Sequence, residues 1–327
     1  MVKSGVPQYF TKGCVFMIRI GTVNIDTSHA PSFAEIFLKD SRARYTAIYN
    51  DSFRTEEEVN NFVEKFGLTH KCATLEEMVP LVDIAFIQGC DWDKHVETCR
   101  PFVEAGVPVF VDKPFCGNRK DMEIFRAWAK EGKTILGTSA MRYTYEHQSF
   151  YAIPAEERGE ITHIIATVGV DEFNYAIHAV ESITAFLPGV KAKTVKYVGA
   201  GVTDGAPTET FFVLFENGVS ATYHVRMKGW QPSTLTVITT KTTYVYKIDS
   251  SKVYEAMLNQ FCDYMEGKDS LMAPLEDMLT SIEIMLAGKF SRENGGIDVD
   301  PNNIPEDYSG FDGYVFWQEY SAAQKAR

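Results

Sequence analysis

A chain of 327 residues, 45% hydrophobic and 23% charged, has the composition of a folded protein and is too long for one ordinary core, so two domains are expected. Its formal charge of −12, from 32 basic and 44 acidic residues, comes without any Lys/Arg cluster and argues against a nucleic-acid partner. No apolar run approaches the roughly 20 residues of a membrane span, so no membrane partner is expected.

Residues 1–16, MVKSGVPQYFTKGCVF, lack the apolar core and cleavage site of a signal peptide and read as an N-terminal extension. Cysteines at positions 14, 72, 90, 99, 116 and 262 form no CxxC pair; reduced thiols in a cytoplasmic protein are expected, with no zinc site. From Ile18 onward strands alternate with helices. The strand candidates are Ile18–Val23, Tyr45–Tyr49, Ile84–Ile87, Val107–Val111 and Thr134–Leu136, mostly short β-branched runs of the kind buried on both faces. Helices are expected over Ser32–Lys39, Thr55–Phe66, Leu75–Met78, His95–Ala105 and Lys120–Lys130, with Gly67, Gly106 and Gly132 placed for left-handed caps. The alternation predicts an α/β class, with a Rossmann-like, doubly wound parallel sheet over residues 17–142. Ligands on such a sheet bind beyond the carboxyl ends of its strands, so the following turns hold the candidates.

The first turn reads Asn24-Ile25-Asp26-Thr27-Ser28-His29, with no glycine to let the backbone approach a pyrophosphate. Asn24 tolerates positive φ and is the least disruptive replacement. A carboxylate at Asp26 repels phosphate unless it turns away. The expectation is a helix N-cap on the N–H of Ser28 or His29, leaving Thr27, Ser28 and the helix N-terminus to meet the phosphates. After the second strand, Asp51 is placed to accept from an adenosine ribose, which favours NAD over NADP. Gln88, Gly89, Cys90 and His95 follow the third strand beside the same site. The fourth ends in Asp112-Lys113-Pro114, a lysine held by a rigid proline and placed to meet a substrate hydroxyl or carbonyl.

Over residues 143–327 the pattern changes to an α+β domain with an open, largely antiparallel sheet. Its strands are expected at Ile161–Val170, Thr194–Gly199, Thr210–Phe215, Val219–Val225, Thr234–Thr239 and Thr242–Ile248, with a hairpin turn at Glu216-Asn217-Gly218. Helices are expected over Tyr175–Phe186, Ser251–Glu266 and Pro274–Ala287, the last two packing back between the domains. The tail from Ser309 carries Tyr314, Phe316, Trp317 and Tyr320, read as a packed aromatic stripe. Asn174 and His178 stand four apart, on one helical face, where the first can hold the second in one tautomer for proton transfer. A metal shared by His178 with His224 or Glu209 is the alternative weighed; with no ligand spacing to support it, none is assigned.

In order and spacing, "VDIAFIQGCDWDKHVETCRPFVEAGVPVFVDKPFCGN", "GTSAMRY", "NYAIHAVESITAFLPG" and "MLNQFCDYMEGKDSLMAPLEDMLTSIEIMLAGKFSRENGG" resemble the Gfo/Idh/MocA family, the glucose–fructose oxidoreductase and inositol dehydrogenase relatives. The resemblance covers most of the chain from about Met17. It implies NAD(P)-dependent oxidation of a sugar or polyol hydroxyl, or reduction of the ketone, in a homo-oligomer, dimer or tetramer. It also implies Lys113 on the reacting oxygen, His178 exchanging its proton and Asn174 beside them. The cofactor would lie against Asn24, Ile25, Asp26, Thr27, Ser28, Asp51, Gln88, Gly89, Cys90, His95, Asp112, Lys113 and Arg142. Three departures stand out: Asn174 replaces the family's acid and cannot raise the pKa of His178, Asp112 replaces its glutamate, and the phosphate turn lacks glycine. The alternative is a member with altered or lost redox chemistry, a sugar-acting lyase, isomerase or hydrolase, or a non-catalytic binding or regulatory protein.

Overall fold

The computed structural model describes residues 17–203 and 205–326; the expected N-terminal extension, with Cys14, lies outside the described residues. The first half is built on six strands, β1 (Ile18–Val23), β2 (Ala43–Tyr49), β3 (His70–Lys71), β4 (Ile84–Ile87), β5 (Val109–Val111) and β6 (Ile135–Gly137). They are all parallel, in the order β3-β2-β1-β4-β5-β6. Strand order reverses between β1 and β4, which puts the ligand crevice of a doubly wound sheet over the carboxyl ends of those two strands.

Helices α1 (His29–Lys39), α2 (Glu56–Phe66), α3 (Leu75–Met78), α4 (His95–Glu104) and α5 (Arg119–Lys130) cover the two faces. Gly67, Gly106 and Gly132 have the left-handed φ expected of them. The Thr55 hydroxyl accepts from the Glu58 N–H while the Glu58 carboxylate accepts from the Thr55 N–H, so a capping box starts α2. Helix α1 begins three residues before the expected Ser32, because Pro31 is tolerated in a first turn whose N–H groups have no helical acceptor. The two-residue edge strand β3 is exposed and has no apolar pattern to announce it.

Two short helices, α6 (Tyr145–Ala152) and α7 (Ala155–Arg158), lead into β7 (Ile161–Val170), then α8 (Ala176–Thr184). There follow β8 (Ala192–Thr203), β9 (Ala206–Phe215), β10 (Ser220–Met227), β11 (Thr234–Thr239) and β12 (Thr243–Lys247), and then α9 (Val253–Met265), α10 (Leu275–Glu293) and α11 (Gly313–Lys325). The second sheet runs β12-β11-β7-β10-β9-β8 and is antiparallel except for the β7–β10 pair. Alternation decides its two faces: Ile164, Ala166, Val168, Ala221, Tyr223 and Val225 are buried on the side covered by α8 and α10, and the opposite face is open. Helix α9 packs back on the first sheet, where Phe261 meets Phe37, Phe86 and Phe110. This ties the end of the chain to its beginning and sets α8 against the ends of the first sheet.

Candidate functional site

Lys113 leaves the end of β5 and its Nζ donates to the Asn174 side-chain oxygen at 2.9 Å and to the Asn174 carbonyl at 3.1 Å. Asn174 is not on the helix with His178, as the spacing suggested; it lies in the turn before α8, where Asp171 accepts from the N–H groups of Phe173 and Tyr175. That turn folds on the Asp171 carboxylate because an aspartate readily accepts from N–H groups a few residues on. His178 is therefore oriented by another residue, Ser139, whose Oγ lies 2.7 Å from His178 Nδ1. Tyr175 covers the centre, with its ring 5.3 Å from Lys113 Nζ and edge-on to His178 at 5.8 Å.

Burial pulls the Lys113 ammonium below its usual value, against the opposing pull of Asp112, Asp171 and Cys90. Burial, and after it the nearby Lys113 and His29, hold His178 well below the usual imidazole range, so it is neutral at pH 7 and free to accept a proton. The Asp171 carboxyl is raised by burial. A cationic donor and a neutral imidazole thus converge beneath one tyrosine. A cleft of about 550 Å³ between α1 and α2, lined by Thr27, Ser28, Arg54, Lys65 and Tyr320 among others, reaches the outer side of Tyr175; Lys113 and His178 are not part of its lining.

The expected phosphate turn is built differently. Asn24 does take the left-handed conformation, φ 65°, that a glycine would supply. Its side chain exchanges two 3.0 Å hydrogen bonds with Asp51, from Nδ2 to the carboxylate and from the Asp51 N–H to Oδ1. Asp26 is not the helix cap. Its Oδ2 accepts from the Cys90 N–H at 2.9 Å, its Oδ1 is buried without a partner among the described residues, and burial raises its carboxyl above the usual range. Thr27 makes the local bond instead, its hydroxyl accepting from the His29 N–H at 3.2 Å, while the Ser28 side chain caps nothing. Ile25 is buried.

Of the other expected cofactor contacts, Gln88 is a core residue whose Oε1 accepts from Thr22 and Tyr45 hydroxyls. His95 bridges the carbonyls of Gly89 and Phe115 and so braces the β4 loop. Arg142 is buried behind the site, against Glu181, Thr184 and Ser281, and takes no place in the cleft. The Asp112 carboxylate accepts from the Lys113 N–H at 2.8 Å and pairs with His29 Nδ1 at 2.7 Å. Burial opposes its charge, but His29 and Lys113 outweigh that and hold it below the usual range. The sequence reading missed Ser139, Asp171 and His29 as members of the site. Only His29 left a signal, a large side chain at the third glycine place of the turn. His224 lies on the open sheet face, bonded to Thr210, while Glu209 pairs with Arg292 on the helix side, so neither joins His178.

Beside Arg142, burial pulls His147 down to about 4 from 6.5; its Nε2 bonds the Ala185 carbonyl at 2.8 Å and its Nδ1 has no partner among the described residues. A folded value below the unfolded one stabilises fully above pH 6.5, and that stability is lost as pH falls through 4. Thermal unfolding from pH 7 to 4 should show this decline, and His147→Gln should flatten it.

Residues 17–139 match the Gfo/Idh/MocA oxidoreductase family, described by its NAD-binding Rossmann fold. No curated protein matches the sequence. Solved structures with the same fold include a probable dehydrogenase from Thermotoga maritima, at TM-score 0.75 and 17% identity, covering 88% of this chain and 100% of that one. The scyllo-inositol dehydrogenase of Lactobacillus casei, solved with NAD(H) and scyllo-inositol, superposes at TM-score 0.74 and 16% identity over 88% and 100%. The myo-inositol 2-dehydrogenase of Lactobacillus plantarum does so at 0.73 and 13%, over 87% and 99%. Over residues 17–139 the chain is thus similar to the Gfo/Idh/MocA oxidoreductases and carries the Rossmann fold of that family's model.

Proposed function

We propose that this protein is an enzyme acting on a hydroxyl or carbonyl group of a small sugar- or polyol-like substrate at the centre beneath Tyr175. The observation that carries this reading is the convergence of Lys113, held on Asn174, with a neutral His178 held on Ser139. In this reading Lys113 donates to the substrate oxygen and stabilises negative charge on it. His178 accepts or returns a proton through Nε2, its Nδ1 being engaged with Ser139. Groups of this kind supply roughly 10²–10⁴-fold each to proton transfer. The substrate class is supported by the inositol dehydrogenases that share the fold.

Bound, a nicotinamide dinucleotide would supply a hydride acceptor, and NAD is the one Asp51 favours. Asn24 and the α1 N-terminus suit it, but the residues across the crevice between β1 and β4 do not. The roles given to Lys113 and His178 require no hydride. The test is proton NMR of aldoses, ketoses and cyclitols with the protein, with and without NAD. Turnover that is lost in Lys113 and His178 variants supports the reading; turnover equal in both variants sinks it. The open face of the second sheet, with Val198 and Val245 exposed on it, is proposed as the surface of a homo-oligomer, dimer or tetramer. Light scattering is expected to give a multiple of 36.8 kDa, and Val245→Lys to shift it toward one copy.

A further inference from the structure

A dinucleotide on a doubly wound sheet crosses the crevice between β1 and β4, its pyrophosphate on the first turn and its adenosine ribose at the end of β2. Both places hold this chain's own side chains. From the start of α1, beyond β1, His29 reaches past the end of β4 to the end of β5, where Nδ1 meets Asp112 at 2.7 Å. Beneath it Asp26 ties the turn to the β4 loop through the Cys90 N–H. Asn24 lies so close that a Cβ on Gly89 would stand 3.2 Å from its Nδ2. At the adenosine end Trp317 of α11 donates to the Ser52 hydroxyl at 2.8 Å and packs on Phe53, leaving a space of about 10 Å³.

These contacts are anchored. The Phe311 ring stacks on Phe173 at 4.0 Å, Trp92 donates to the Phe311 carbonyl at 2.9 Å, and Asp93 accepts from the Gly313 N–H at 2.7 Å. A phosphate would also face the buried Asp26 carboxyl. The pair at the crossing is itself chemically equipped. Asp112 fixes the His29 ring by Nδ1, and Nε2 carries no hydrogen bond to the described residues. Phe33 stacks on the ring at 5.7 Å and Tyr254 meets it edge-on at 5.2 Å, so only its Nε2 edge is left, while the neighbouring Thr27 and Ser28 line the cleft that reaches Tyr175.

We infer that His29, held by Asp112, and Trp317 occupy the dinucleotide path, and that His29 is the second acid–base group of a proton transfer that needs no dinucleotide. The inference rests on the sugar-class reading of the Lys113–His178 centre. In the step, one imidazole removes the proton from a carbon next to a substrate carbonyl. The C–H pair becomes the C=C bond of an enol and the carbonyl π pair moves to oxygen beside Lys113. The other imidazole delivers a proton to the same carbon from the opposite face as the oxygen pair falls back to re-form the C=O bond, giving an epimer with no change of oxidation state.

Two measurements test this. Calorimetric titration with NADH and NADPH is expected to show no binding at 1 mM to the intact protein, and binding at least tenfold tighter to a His29→Gly, Trp317→Ala variant whose circular dichroism is unchanged. Micromolar binding to the intact protein, or no gain in the variant, overturns the assignment of the path. In D₂O without nicotinamide, ketoses incubated with the protein are expected to lose the NMR signal of the proton beside the carbonyl, at least 10²-fold more slowly with His29→Asn. No exchange from any ketose, or exchange unaffected by His29→Asn, overturns the proton transfer. Exchange that fails with Lys113→Met but persists with His29→Asn leaves the reading of the Lys113–His178 centre standing and removes this one.

Discussion

Arg142→Met is expected to lower the free energy of unfolding by about 3–5 kcal/mol at pH 8, the cost of leaving one partner of a buried ion pair behind. Side chains of Arg142 and Glu181 are 3% and 0% exposed, with 2.6 Å between them. Burial raises Glu181 to about 7 even with Arg142 and Ser281 favouring its charge, and its Oε1 has no partner among the described residues. A carboxyl whose folded value is raised stabilises most below its unfolded value and loses that contribution as pH rises through about 7. The deficit of Arg142→Met is therefore expected to be smaller at pH 5 than at pH 8, because a protonated Glu181 needs no counter-charge. Arg142→Met with Glu181→Leu should recover much of the loss, since an apolar pair of similar volume removes both desolvation costs. Urea unfolding of the two variants at both pH values decides it; a loss below about 1 kcal/mol in the single variant would mean that water reaches the pair.

Lys113→Met and His178→Gln are each expected to cut turnover by about 10²-fold or more while the protein stays folded. Neither side chain holds the fold together. Burial already disfavours the Lys113 ammonium, so its removal relieves a cost while losing two hydrogen bonds to Asn174. Loss of activity without loss of thermal stability is the mark of a group kept for chemistry. His178→Gln leaves a donor and an acceptor for Ser139 but no titratable ring, so it separates proton transfer from packing. Near-normal kcat/KM in both variants would remove the assignment.

Much of the fold is legible along the chain. β1 and β4 fall where their β-branched runs predict them, and glycine caps end α2 and α4 because a left-handed residue there is set by neighbours a few positions away. Lys113 and His178 each carry a local signal, the one its place at a strand end and the other its helix. Their orienters carry none. The four-residue spacing of a helix assigns Asn174 to His178, but the helix starts two residues later and the amide turns to Lys113. Ser139, 39 residues away, takes the place beside the imidazole.

The first turn shows the same division. The sequence by itself determined that it has no glycines, that Asn24 would carry the positive φ and that a carboxylate at Asp26 had to find a partner other than phosphate. Which partner is a matter of distance in space. Asp26 found the Cys90 N–H, His29 found Asp112 across 83 residues, and Ser52 received Trp317 across 265. Periodicity and turn chemistry act over a turn of helix or a pair of strand residues. Pairings of this length arise only when the sheet order brings β1, β4 and β5 side by side and lays α11 over the end of β2.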